Sequence, residues 1–161
     1  MEYQVIALHQ QVADEVRATH RAPHYGHPAH IETATGTGPC RLCLRPFRKH
    51  EEDRILFTYN PFPWSAELPS PGPIFIHRLP CPRFEAQGFP PELRTIPLVL
   101  EGYDDLGVPV GRAHAVAADP DAALLAILAR RGVEYAHARH ADAGCFIARV
   151  ERRLVSSASL Y

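Results

Sequence analysis

Apolar and polar positions along the chain divide it into short strands and two helices. Residues 3–8 (YQVIAL) form a short apolar run that reads as a strand. From Gln11 to Thr19 the period becomes helical, with Val12 and Val16 four residues apart on one side. Asp14 and Glu15 come early in it and Arg17 late, the order that the helix dipole favours. Pro23 and Gly26 end that element. Residues 30–35 (HIETAT) predict an edge strand stopped by Gly36, Gly38 and Pro39. Residues 54–59 (RILFTY) are β-branched and aromatic, a strand with Ile55, Phe57 and Tyr59 on one face. Residues 73–77 (PIFIH) form another, with Ile74 and Ile76 facing one way and Phe75 and His77 the other.

The second half continues in the same manner. Prolines punctuate residues 61–73 and again residues 80–91, which predicts stiff, irregular connections. Residues 93–103 read as extended, with Pro97 marking an edge or a bulge. Asp104, Asp105 and Gly107 make a turn into a strand over residues 108–116. The clearest helix covers residues 120–131, with Asp119 as N-cap, Pro120 at N1 and Gly132 just past the end. Its buried face is Leu124, Leu125, Ile127 and Leu128. Residues 133–139 and 145–152 then make a hairpin. Pairing His140 with Cys145 would set Tyr135, His137 and Arg139 on one face with Phe146, Ala148 and Val150. Strands outnumber helices and no βαβα rhythm occurs. The pattern predicts a single α+β domain over residues 1–155, mainly antiparallel sheet with about two helices, and a frayed tail at 156–161.

Composition narrows the class without naming a reaction. At 161 residues and 46% hydrophobic, the chain can bury a core without disulfide staples. Its net charge of −1 gives no global field toward nucleic acid or anionic membrane. No apolar run approaches the roughly 18 residues that span a bilayer. The N-terminal residues lack a basic head followed by an uninterrupted apolar stretch, which predicts no signal peptide. With four cysteines, that points to a reducing cytoplasm, where thiols pack, bind metal or catalyse.

Candidate chemistry centres on those cysteines. Cys40 and Cys43 have the Cys-x-x-Cys spacing at which a tight turn brings two thiolates to one ion. His77 and Cys81 follow the PIFIH strand. If that strand lies against RILFTY, the four groups converge into a Cys3His zinc site. Two features stand against it: Leu44 occupies the place where zinc knuckles often carry Gly, and the second pair is His-x-x-x-Cys. Separate buried thiols are the plainer alternative. A thioredoxin-like redox pair lacks its βαβ setting.

Cys145, close to His137 and His140, offers a different chemistry: a thiolate–imidazole enzyme acting on an anionic small molecule. Arg41 and Arg139 are the ligand-binding candidates on either reading. The cluster His20, His24, His27 and His30 is broken by Gly26 and Pro28 and reads as an exposed loop. Arg41, Arg45, Arg48 and Lys49 form a basic run, cancelled by Glu51, Glu52 and Asp53, and no RNA-stacking motif accompanies it. No nucleic-acid or membrane partner is expected; an unidentified small molecule or protein partner and a homodimer remain open.

Four blocks, GPCRLCLRPF, RILFTYNPF, GPIFIHRLPC and EYAHARHADAGCFIARVERR, together resemble the bacterial family known as domain of unknown function 1203. The resemblance implies a bacterial cytoplasmic protein with no assigned reaction, cofactor or catalytic residue. It also implies that Cys40, Arg41, His77, Cys81, Arg139 and Cys145 belong to shared motifs, and that a cysteine at position 43 is not general to the family.

Overall fold

Two antiparallel sheets carry the chain, in a computed structural model that describes residues 1–36, 38–62, 72–115 and 119–153. The first half supplies β1 (Glu2–Ile6), α1 (Gln10–Thr19), β2 (His30–Thr33), β3 (Asp53–Tyr59) and β4 (Gly72–His77). The second half supplies a 3-10 turn (Pro91–Thr95), β5 (Leu98–Tyr103), β6 (Pro109–Ala115), α2 (Pro120–Ala129), β7 (Tyr135–His140) and β8 (Phe146–Arg153). The smaller sheet has the order β2-β3-β4 and the larger β1-β8-β7-β5-β6. This is the α+β, mainly antiparallel single domain that the hydrophobic pattern predicts. None of the described helices is long and apolar enough to cross a membrane. The frayed tail at 156–161 lies outside the described residues.

Each sheet has its own apolar core. α2 covers one face of the larger sheet, where Leu100, Leu124, Ile127, Leu128, Ala136, Ala148 and Val150 pack. Gly102 makes that approach possible: a Cβ there would meet Val133 at 2.9 Å. The smaller sheet packs Ile55, Phe57, Ile74 and Ile76 against Ala13 and Val16 of α1 and against Cys40, Leu42 and Phe47. Ile74 and Ile76 are buried while Phe75 and His77 are half-buried, so the alternation predicted for that strand holds. β2 is an edge strand of this sheet, as its short sequence indicated.

Several local readings need correction. Residues 93–95 belong to the 3-10 turn, and β5 starts only at Leu98. β5 pairs on both sides, with β6 and β7, so Pro97 marks no edge; it stands just outside an interior strand, and the bulge comes later, at Gly102/Tyr103. Asp119 precedes α2 but its side chain makes no cap hydrogen bond. α2 ends at Ala129, leaving Arg130 and Arg131 beyond its last turn. α1 begins at Gln10, capped by the His9 ring accepting from the Gln11 amide, so Asp14 and Glu15 miss the first turn.

The β7–β8 hairpin closes as expected, with the His140 amide donating to the Cys145 carbonyl at 2.9 Å. A bulge then shifts the register between Ala138 and Arg139: Arg139 faces Phe146, but His137 faces Arg149 and Ala138 faces Ala148. Ala148 and Val150 therefore turn into the α2 core instead of joining Tyr135 and His137. The bulge places one extra residue on β8, which a uniform period of two does not anticipate.

Candidate metal centre

Cys40–Cys43 forms the turn of a short hairpin. The Leu44 amide donates to the Cys40 carbonyl at 2.8 Å, the Cys40 amide donates to the Arg45 carbonyl at 2.9 Å, and Pro39 bridges Pro46. Leu44 takes a left-handed conformation (φ 58°), the backbone role that glycine usually fills after such a pair. The turn sits at the junction of the two cores. Cys40, Leu42 and Cys43 pack in the core of the smaller sheet, while Leu44 packs in that of the larger. The leucine therefore accepts a strained φ and adds a fully buried side chain.

His77 ends β4, and Cys81 follows it in the Pro80-Cys81-Pro82 loop. β3 and β4 pair directly, with Arg54 opposite His77, as the sequence reading required. The ligand atoms of Cys40, Cys43, His77 and Cys81 all lie within 4.8 Å of one another. Cys40 Sγ is 3.8 Å from Cys81 Sγ, and Cys43 Sγ is 3.4 Å from His77 Nδ1. A tetrahedral zinc with Zn–S near 2.3 Å needs sulfur–sulfur edges of about 3.8 Å and slightly shorter sulfur–nitrogen edges. The four groups, which are free thiols and an imidazole, are compatible with such an ion. No helix begins at Cys40, the setting that a thioredoxin-type pair uses.

Outer contacts fix these groups. His77 Nε2 lies 3.2 Å from Glu52 Oε2, so the carboxylate accepts from Nε2 and the ring is held with Nδ1 facing the thiols. Glu52 also accepts from the Arg48 amide at 2.7 Å, and this bond first of all lowers its carboxyl pKa. The His77 amide donates to Cys40 Sγ at 3.3 Å. Arg17, on α1, donates to the His77 carbonyl at 3.0 Å, the Leu79 carbonyl at 3.1 Å and Cys81 Sγ at 3.3 Å. Metal-free, the cluster concentrates negative charge on Cys40, whose pKa is driven far down by hydrogen bonds from Cys43 and Cys81. Cys43, as donor, is pushed up, and His77 rises to about 10 through Cys40 and then Cys81.

Arg41, between the two knuckle cysteines, is buried. It donates through Nε to the Phe146 carbonyl and through Nη1 to the Pro39 carbonyl, both at 2.6 Å. Burial pulls it down to about 10, opposed by the thiols of Cys145 and Cys40, so it stays charged at neutral pH. Arg17 and Arg41 set two positive charges beside a group of thiols.

Other candidates sit elsewhere. Cys145 Sγ is directed at the Ala143 carbonyl, 3.8 Å away. His140 Nδ1 accepts from the Asp142 and Ala143 amides and so serves the turn. His137 is buried with its ring among Phe62, Tyr103, Tyr135 and Phe146. Neither imidazole hydrogen-bonds Cys145 among the described residues. Arg139 lies on the same hairpin as Cys145, 3.7 Å from Glu101. His20, His24, His27 and His30 are exposed. Asp104 accepts from the Leu106 and Val108 amides, a turn role. Within the basic run, Arg45 pairs with Glu92 and Arg48 with Glu51 and Glu52.

Sequence reasoning missed Glu52 and Arg17 as partners of the site. Glu52 stands in an acidic run that reads as charge balance, and only the β3–β4 pairing brings it to His77. Arg17 carries no local signal at all.

No curated protein and no solved structure matches the chain. Residues 37–152, from just before the knuckle to the penultimate residue of β8, match the family described as Protein of unknown function (DUF1203), and the chain belongs to that family.

Proposed function

We propose that Cys40, Cys43, His77 and Cys81 hold one zinc ion, and that the chain is a zinc-stabilised binding domain. The observation that carries this reading is the convergence of three Sγ atoms and one imidazole nitrogen within 4.8 Å, two of whose separations, 3.8 and 3.4 Å, match edges of a tetrahedron. The Glu52 carboxylate on the far nitrogen of His77 supports it, because metal-bound imidazoles commonly carry such a partner. Charge supports it too: three thiolates around a divalent ion leave one net negative charge, and Arg17 and Arg41 lie against Cys81 and Cys40. Four protein ligands fill the coordination sphere, so the ion acts structurally. It locks the knuckle, β4 and the loop after it at the point where the two cores meet. Thiol ligation of this kind suits a reducing compartment.

Zinc titration of the reduced, metal-stripped chain tests the assignment. One equivalent should bind, and cobalt in its place should give the intense visible bands of a tetrahedral thiolate site. Cys40→Ser and Cys81→Ser should lose both signals and Cys145→Ser should keep them. Retention of tight binding by Cys40→Ser and Cys81→Ser would overturn it.

A further inference from the structure

A cavity of about 130 Å3 lies between the start of β4 and the β7–β8 turn. It shares no residue with the metal cluster. Tyr59, Ile74 and Phe146 form apolar walls, and Arg139 and Cys145 bring polar groups to it.

Arg139 is under-used where it stands. Its Nε is buried without a hydrogen-bond partner among the described residues. Nη1 reaches the Gly144 carbonyl at 3.3 Å and Nη2 the Tyr103 hydroxyl at 3.5 Å, both long for such bonds. The Glu101 carboxylate is 3.7 Å from Nε, an ion pair without a hydrogen bond. A guanidinium has five donors in a planar fork that matches a carboxylate. Here the fork is held loosely, and Arg139 lines a cavity whose wall opposite is partly hydrocarbon, from Pro73, Ile74 and Phe146. A second guanidinium, Arg41, reaches the same lining through the Phe146 carbonyl and bonds only carbonyl oxygens among the described residues.

We propose that this cavity binds a short aliphatic carboxylate, with its head on Arg139 and its chain against Ile74 and Phe146. The size suits a ligand of about two to four carbons, since each water-sized unit occupies roughly 30 Å3. Cys145 lies at the wall, where its thiol gives the site a small polarisable surface.

Propionate titrated into the purified full chain at constant ionic strength, followed by backbone amide NMR shifts, tests this. Saturable shifts should appear in β4 and in the β7–β8 turn. Chloride, phosphate and the neutral isostere propionamide should give none. Arg139→Gln removes the charge and should weaken binding at least about tenfold, the worth of one charge-assisted hydrogen bond; Cys145→Met fills the space and should weaken it at least about tenfold by excluding the ligand. Should Arg139→Gln fail to fold, Cys145→Met decides alone, because it leaves the Arg139–Glu101 pair in place. Shifts from propionate no larger than those from chloride, equal binding of phosphate or propionamide, or wild-type affinity in Cys145→Met would overturn the proposal. The zinc content of the same sample is read separately, so failure at this cavity leaves the metal assignment standing, and the reverse holds.

Discussion

His77 Nε2 and Glu52 Oε2 lie 3.2 Å apart, which ties the imidazole at the end of β4 to the residue just before β3. The contact orients the His77 ring and so the direction of its Nδ1. Glu52→Ala should therefore weaken zinc binding by about 10- to 100-fold, the usual effect of losing such an outer partner. Competition with a chromophoric chelator measures it. With excess zinc, the variant should keep the wild-type fold.

Arg41 joins the knuckle to β8 through the Phe146 carbonyl. Arg41→Ala leaves that carbonyl and the Pro39 carbonyl buried and unbonded, at about 1–3 kcal/mol each. A loss of about 2–4 kcal/mol in urea unfolding is expected, large because the site is fully inside. Arg41→Lys should recover only part of it, since one ammonium on a flexible stem does not reproduce the fork.

Leu44 trades backbone strain for burial. Leu44→Gly relieves a left-handed φ, worth about 1 kcal/mol, but empties a fully buried site whose loss costs more. The expected net effect is a destabilisation of about 1–3 kcal/mol with zinc stoichiometry unchanged. Unfolding curves and metal content on the same sample check both halves.

His137 gives the protein a pH dependence of its own. Its native pKa, near 2, lies below the ordinary 6.5, so the unfolded chain takes up a proton that the native state refuses. Stability should hold above pH 6.5 and fall as pH drops below it, by about 1.2 kcal/mol between pH 7 and 5.5 from this group. His137→Phe should remove that part of the slope. Zinc retention, followed in the same samples, separates it from acid release of the metal.

The sequence carried the strand pattern and the four members of the Cys/His cluster, because both rest on local signals: alternation in β4, β-branched residues in β3, and Cys-x-x-Cys before a hairpin. It missed what depends on a partner strand. The β8 bulge redirects Ala148 and Val150, and no periodicity within β8 announces it. Pro97 could not be placed because an interior strand starting one residue later looks, locally, like an edge. Glu52 and Arg17 gain their roles only when β3, β4 and α1 are packed. The Leu at position 44 counted against a knuckle, until its burial in the second core explained why glycine is not there.

Metal content tests the central claim most directly. Protein purified without added zinc, in reducing buffer, is measured by plasma mass spectrometry, then unfolded with and without a strong chelator. One zinc per chain, with a large drop in unfolding midpoint as the metal is removed, is the predicted result. A chain that carries no stoichiometric metal and unfolds at the same midpoint with or without zinc would contradict it.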